Sequence, residues 1–257
     1  MSFALITGSS KGIGKAIAEN LAAKGYSLIL IARSEDLLQQ VKQEIEGKTK
    51  VEVKYLALDL STPTAAQQVF DWCSQNNFPI SVLVNNAGYG LSGAFESYPL
   101  DQHLNMIQVN CLTLFQLTHL LLPQLRQQTQ SYILNIASSA AYQAVPYLSL
   151  YAASKSFVLQ FSRGLHFELR KSNVSVTCIS PGATDTDFVT RAKIGAKGLK
   201  AAGKVNMTPE QVAKIAVDSM LQKKTEVITG ALNKAVGFFT WLLPKKFIEG
   251  TAAKLYE

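Results

Sequence analysis

The first chemistry along the chain is a glycine pattern. TGSSKGIG, running from Thr7 to Gly14, places Gly8, Gly12 and Gly14 behind a short apolar run, with Ser10, Lys11 and Ile13 between and beside them. Positions without a Cβ let the backbone turn tightly and approach a diphosphate, whose charge then meets the N-terminal end of the helix beginning near Gly12. Between a first strand and a first helix, such a loop marks a dinucleotide site. Nineteen positions past Gly14, where an acid would hold a ribose 2′-hydroxyl, stands Arg33, while Glu35 and Asp36 come too late for the strand tip. Arg33 and Lys11 offer two cations to a 2′-phosphate, so the pattern points to NADP(H) over NAD(H). Asp59, with Leu60 behind it in LALDL, falls where an adenine edge would pass.

Those residues need a sheet to hold them. Apolar, β-branched-rich runs at Phe3–Thr7, Leu28–Ala32, Val51–Leu58, Ile80–Asn85, Tyr132–Ala137, Val174–Ser180 and Glu226–Thr229 alternate with stretches of helical period that begin near Gly12, Ser34, Pro63, Leu100, Ser149 and Thr208. Such alternation predicts an α/β fold, a Rossmann-like doubly wound parallel sheet of about seven strands with helices on both faces. VEVKYLALD alternates polar and apolar residues and reads as an edge strand. No repeat or linker divides residues 1–257, so they read as one dinucleotide-binding domain, with 187–207 as a substrate loop and 231–257 as an apolar and basic tail. Leu104 to Leu125 and the helix after Tyr151 are apolar nearly all round, which suggests a homodimer or homotetramer interface.

Composition narrows the classes further. With 47% apolar and 17% charged residues, a chain of this length has material for a large core and does not read as disordered, collagen-like or coiled-coil. The net +7 is local, because residues 1–190 hold 13 basic and 13 acidic side chains and residues 191–257 hold 12 and 5. That distribution argues against a uniformly nucleic-acid-binding surface. Cys73, Cys111 and Cys178 are scattered and odd in number, which fits a reducing compartment and no disulfide framework. His103, His119 and His166 have no partner ligands at metal spacing, so no metal is expected. The opening MSFALITGSS lacks the basic stretch of a secretory signal, and the apolar run Ala235–Leu243 is shorter than the roughly 18 residues of a membrane span. The expectation is a soluble, cytoplasmic protein.

Four further motifs stand at strand ends: NNAG at Asn85–Gly88, NIASSA at Asn135–Ala140, YAASK at Tyr151–Lys155 and PGATDT at Pro181–Thr186. With TGSSKGIG, this order resembles the short-chain dehydrogenase/reductase family, in its short single-domain form of broad or unassigned specificity, from Phe3 to about Phe188. The resemblance implies that Tyr151 is the general acid/base, that Lys155 binds the nicotinamide ribose and lowers the tyrosine pKa, and that Ser138, preferred by spacing over Ser139 and Ser149, polarises a substrate carbonyl. It implies that Asn110 holds a water for proton relay, that Asn86, Ala87 and Gly88 form a cofactor-contacting turn, and that Pro181, Gly182, Thr184 and Thr186 meet the nicotinamide end. Tyr151 and Lys155 are four apart and so share one helix face. A phenol titrates near 10, so acting as a base at neutrality needs about 4 kcal/mol of help. An ammonium at about 5 Å in an effective dielectric near 20 supplies about 3 kcal/mol.

The expected activity is interconversion of a carbonyl and a secondary alcohol with NADP(H); the competing class is a nucleotide-sensing regulatory protein without turnover. Tyr89, Leu91, Phe95, Ala141, Tyr142, Val145, Tyr147 and Phe188 fall on loops expected to line an apolar substrate pocket, fit for a ketone, an aldehyde or a 3-oxoacyl thioester. Lys193, Lys197, Lys200 and Lys204 form one basic stripe if helical, open either to the phosphates of an acyl-CoA or an acyl carrier protein or simply to solvent. The tail GFFTWLLPKKFI combines aromatic and basic residues; burial against protein is preferred here to contact with a membrane surface.

Overall fold

The computed structural model describes residues 2–184 and 206–256. Seven parallel strands form one sheet in the order β3-β2-β1-β4-β5-β6-β7. They are β1 (Phe3–Thr7), β2 (Ser27–Ala32), β3 (Val53–Ala57), β4 (Ile80–Asn85), β5 (Ser131–Ile136), β6 (Val174–Ser180) and β7 (Glu226–Ile228). The helices are α1 (Gly12–Ala23), α2 (Glu35–Glu46), α3 (Ala65–Gln75), α4 (Leu100–Ile107), α5 (Thr113–Arg126), α6 (Ser149–Leu169), α7 (Pro209–Leu221), α8 (Ala231–Leu242) and α9 (Lys245–Tyr256). The predicted strands are all present, with ends shifted by up to two residues, and the alternating VEVKYLALD run is the edge strand β3.

The pleat divides the core into two layers. Ala4 and Ile6 face α1 and α7, where Ile17, Leu21, Ala216 and Met220 are buried, while Phe3 and Leu5 face α3 and α5, where Val69, Leu117 and Leu121 are buried. Because β1, β2, β4, β5 and β6 are covered on both sides, their apolar runs are nearly continuous. The strand order reverses between β1 and β4, so the loops leaving those two strands diverge and open a crevice at their carboxyl ends.

One buried polar chain crosses this core. Asn85 and Asn135 are direct partners in the β4–β5 register. Asn85 Nδ2 donates to Asn135 Oδ1 at 2.9 Å and to Thr118 Oγ1 at 3.1 Å, and Asn135 Nδ2 donates to Ser162 Oγ at 2.9 Å. The central strands are thereby fastened to α5 and α6 through buried side-chain hydrogen bonds.

The apolar stretch expected as one helix from Leu104 to Leu125 is not uniform. A π-helical turn, Gln108–Leu112, separates α4 from α5. A single π turn rotates α5 about its axis relative to α4, and such turns concentrate at functional sites. The continuous helical run Leu100–Arg126 is long and apolar enough to cross a membrane by length and composition, yet half of its most apolar window is buried within the fold, as in a core helix. Phe115 on α5 and Phe157 and Phe167 on α6 remain 37%, 42% and 64% exposed.

Candidate active site

The phosphate end is built by backbone. Gly8 and Gly12 have φ of +67° and +58°, in the left-handed region where a Cβ is disfavoured. At Gly14 the constraint is steric, since a Cβ would lie 2.2 Å from Gly8 O and 2.4 Å from Asn86 Nδ2. Ser10 stands half-buried in the loop, Lys11 is exposed, and Ile13, half-buried in the first turn of α1, packs on the core. The N-cap residue of α1 is Lys11, whose ammonium has no acceptor to offer, and it makes no capping hydrogen bond to the first-turn N–H groups. These features fit a dinucleotide diphosphate. Arg33 lies exposed just past β2, with Glu35 and Asp36 already in the first turn of α2. Asp59 is exposed, its Oδ1 accepting from the Ser61 N–H at 2.9 Å, and Leu60 is buried behind it.

Asn86 locks the two diverging loops together. Its Nδ2 donates to Thr7 O at 2.9 Å and to Gly8 O at 3.1 Å. The Thr7 hydroxyl accepts from the N–H groups of Asn86 and Ala87 at 3.0 and 3.1 Å and lies 3.2 Å from Val84 O. Thr7 was not among the sequence candidates; its one signal was a hydroxyl at the end of an otherwise apolar strand.

The chemical end gathers Tyr151, Lys155, Asn110 and Gly88. Lys155 Nζ lies 5.9 Å from the centre of the Tyr151 ring and donates to Ile136 O at 2.9 Å, two residues before Ser138. A Cβ on Gly88 would lie 3.1 Å from both Lys155 Nζ and Asn110 Oδ1. The Asn110 amide clamps Tyr89, accepting from its N–H at 3.1 Å and donating to its carbonyl at 2.9 Å, and also donates to Ser154 Oγ at 3.0 Å. The side chain implied to hold a water is thus engaged with protein at both ends. Ser154, fully buried, is a second residue absent from the sequence candidates. Ser138 Oγ accepts from the Ala140 N–H at 3.1 Å, which leaves its own proton for another acceptor.

Pro181 O accepts from the Ser139 N–H at 2.7 Å, joining the β5 and β6 ends. Thr184 bridges to Met207, and Gly182 is covered by the Asn233 side chain of α8, where a Cβ would meet Nδ2 at 2.0 Å. Asn233 has no counterpart among the sequence candidates, because a contact across 51 positions leaves no periodic trace. Thr186, Phe188 and the four lysines of the basic stripe lie outside the described residues, as does most of 187–207.

The expected pocket lining divides. Tyr89, Leu91 and Val145 pack in one cluster with Tyr151. Ala141 and Tyr142 instead join Val158 and Leu159 on the far side, where Tyr142 Oη donates to the Glu226 carboxylate. Burial, then that hydrogen bond, pushes the Tyr142 phenol up, so it stays protonated and is no rival base to Tyr151. Phe95 is 63% exposed, stacked on His103 at 4.8 Å, and Tyr147 holds a left-handed φ of +62°.

Residues 2–197 match the family model described as short chain dehydrogenase. The chain belongs to the short-chain dehydrogenase family. It is 38% identical over 187 residues to the very-long-chain 3-oxoacyl-CoA reductase of Homo sapiens, covering 70% of this chain and 58% of that protein. The Danio rerio very-long-chain 3-oxoacyl-CoA reductase-B is 36% identical over 183 residues, with the same coverages of 70% and 58%. The matched region therefore spans less than two thirds of those curated relatives. Among solved structures, a short-chain dehydrogenase from Sphingobium yanoikuyae in complex with NADPH superposes with a TM-score of 0.82 at 28% identity, covering 95% of this chain and 97% of that one. A 7β-hydroxysteroid dehydrogenase superposes at 0.87 with 26% identity, covering 98% and 96%.

In this short-chain dehydrogenase the electrostatics centre on Lys155. Burial lowers its pKa from 10.5 to about 8. Cys111 and Cys178 lie close by, but burial raises both thiols to about 11, so at neutral pH they are uncharged and give the ammonium no counter-charge. The lysine therefore keeps its proton at neutrality and loses it as pH rises through about 8. Stability and rate both respond, each with a definite sign. Between about 8 and 10.5 the unfolded chain binds this proton and the folded chain does not, so this group makes stability rise with pH across that window. If the ammonium supports proton donation by Tyr151, reductive kcat/KM falls above about pH 8. In Lys155→Arg the residual activity is expected to keep its plateau to higher pH; an unmoved alkaline limb in the pH–rate profile would assign it to another group.

Proposed function

We propose that this chain is an NADPH-dependent reductase of carbonyl groups flanked by apolar chains, with 3-oxoacyl thioesters as its leading substrate class. The observation that carries the reading is the meeting of Tyr151, Lys155, Asn110 and Gly88 at the carboxyl ends of β4 and β5. The relatives named 3-oxoacyl-CoA reductases support the substrate class, and so does the apolar cluster of Met106, Val145 and Leu148 around Tyr151. The reduced dinucleotide supplies a hydride when bound. Tyr151 then gives its proton to the carbonyl oxygen as charge develops there, while Lys155 holds the phenolate that remains. Ser138 donates to the same oxygen. Asn110 keeps Tyr89, and with it one wall of the pocket, in place.

The substrate class is tested by following NADPH oxidation with 3-oxoacyl-CoA esters of increasing length. Each buried methylene contributes about 0.8 kcal/mol, so kcat/KM is expected to rise about fourfold per carbon until the pocket is filled. A flat profile, with small ketones equally good, would remove the acyl class.

Cofactor preference rests on Arg33. Its replacement, Arg33→Ala, removes a charge-assisted contact and is expected to raise KM for NADPH about tenfold or more while KM for NADH stays put. Equal changes for both cofactors would overturn the assignment. The same reading includes a homodimer or homotetramer through the exposed aromatic residues of α5 and α6, and a reducing, cytoplasmic setting, which the three buried free thiols support.

A further inference from the structure

The last two helices have an inner and an outer side with different chemistry. On the inner side of α8, Asn233 covers Gly182 and its Nδ2 donates to Thr229 O at 2.8 Å. One turn later Gly237 lies so close to β7 that a Cβ would meet Ile228 Cδ1 at 2.9 Å. The same side of the pair is anchored again in α9, where Ala252 is 8% exposed and packs in the cluster that holds Tyr151. On the outer side Leu232 and Phe239 recur at a spacing of seven, which puts them on one stripe of the helix, and Leu243 follows just past its C-terminal end. They are 54%, 50% and 38% exposed, and Leu242 and Phe247 beside them reach 58% and 65%.

Lysine is the prevailing charged residue of these two helices. Residues 231–256 contain Lys234, Lys245, Lys246 and Lys254 against Glu249 alone, and all four lysines are exposed. The chain's net charge is also confined to its last quarter. Protein–protein interfaces exclude lysine from their centres, whereas helices that lie in a bilayer interface combine Leu and Phe with flanking Lys. A different apolar surface, on α5 and α6, is available for self-association.

From this charge complementarity we propose that the outer side of α8 and α9 rests on an anionic membrane surface, with the apolar stripe in the headgroup boundary and Lys245 and Lys246 against acidic lipid. The inner contacts hold the pair to the enzyme, so the whole fold is carried to the surface. The inference stands apart from the functional reading, since attachment requires no turnover. Should the 3-oxoacyl reading also hold, an acyl chain dissolved in the bilayer would lie beside the wall that α9 gives to the Tyr151 cluster.

The test is sedimentation of the full chain with vesicles of phosphatidylcholine alone or with one-third phosphatidylserine. Binding is expected to the acidic vesicles, to weaken with added salt, and to be slight with the neutral ones. Each lysine at such a surface contributes about fivefold in partition, so Lys245→Gln with Lys246→Gln is expected to lower binding about 25-fold. Leu242→Glu with Phe247→Glu is expected to abolish it, while turnover of a water-soluble ketone and the melting temperature stay at wild-type values. Failure of the wild type to sediment with acidic vesicles, or equal sedimentation of wild type and lysine variant, would overturn the proposal. So would a smaller particle in size exclusion for the Leu242→Glu, Phe247→Glu variant with its vesicle binding intact, because that result makes the face a contact between copies of the chain.

Discussion

Tyr151→Phe is expected to lower the turnover of a reducible ketone by about 10²- to 10⁴-fold, the usual worth of a positioned general acid, with NADPH affinity nearly unchanged. The substitution removes one oxygen from a buried ring. The ring's packing against Met106, Leu148 and Ala152 remains, so the pocket keeps its shape. Lys155 still donates to Ile136 O, and Gly88 and Asn110 keep their places. What disappears is the proton that the carbonyl oxygen must receive as hydride arrives. Steady-state kinetics with a fluorescence titration of NADPH separates the two effects. Loss of cofactor affinity in parallel with turnover would make Tyr151 a structural residue. Undiminished turnover would put the acid elsewhere, and a wild type that binds NADPH but reduces no carbonyl would favour a nucleotide sensor.

Gly14→Ala is expected to damage both stability and cofactor binding. The added methyl group would lie 2.2 Å from a backbone oxygen and 2.4 Å from the Asn86 amide. Neither neighbour is a flexible chain end, so the loop must open. Overpacking of this kind costs about 1–3 kcal/mol, which for a chain of this size lowers Tm by about 2–4 °C per kcal/mol. Opening the loop also parts Gly8 from Asn86, the contact that fixes the phosphate cradle, so NADPH affinity is expected to fall at least about tenfold. Gly164→Ala is the control. It lies in α6 with nothing within 4 Å of the would-be Cβ, and there alanine is expected to be neutral or stabilising by up to about 1 kcal/mol. Differential scanning calorimetry of both variants, with and without NADPH, checks the pair. Equal melting temperatures would mean the loop at Gly14 yields without cost.

The sheet was legible because its strands are buried on two faces, and continuous apolar runs such as Leu28–Ala32 and Ile80–Val84 have few other uses between helical segments. The edge strand showed itself by alternation. The glycine loop was legible for the opposite reason: three positions that cannot carry a side chain leave gaps in the pattern. The π turn around Asn110 was hidden, because over a single turn apolar residues at positions three and four apart serve an α-helix and a π-helix alike. Tyr142 was misplaced because loop proximity says nothing about which side a ring takes; its hydrogen bond to Glu226, 84 positions away, decides that. The tail was half legible. Burial against protein describes Asn233, Gly237 and Ala252, while the other side of the same helices is exposed.

The asparagine pair at the middle of the sheet bears on how the cleft receives its nucleotide. Asn85 leads directly into the turn that meets the glycine loop, and Asn135, through Ser162, holds the helix that carries Tyr151 and Lys155. The two halves of the cleft are thus bolted to a common frame when the chain folds. A dinucleotide bound there would meet a cleft whose two walls are already joined, so its binding energy need not be spent on assembling them.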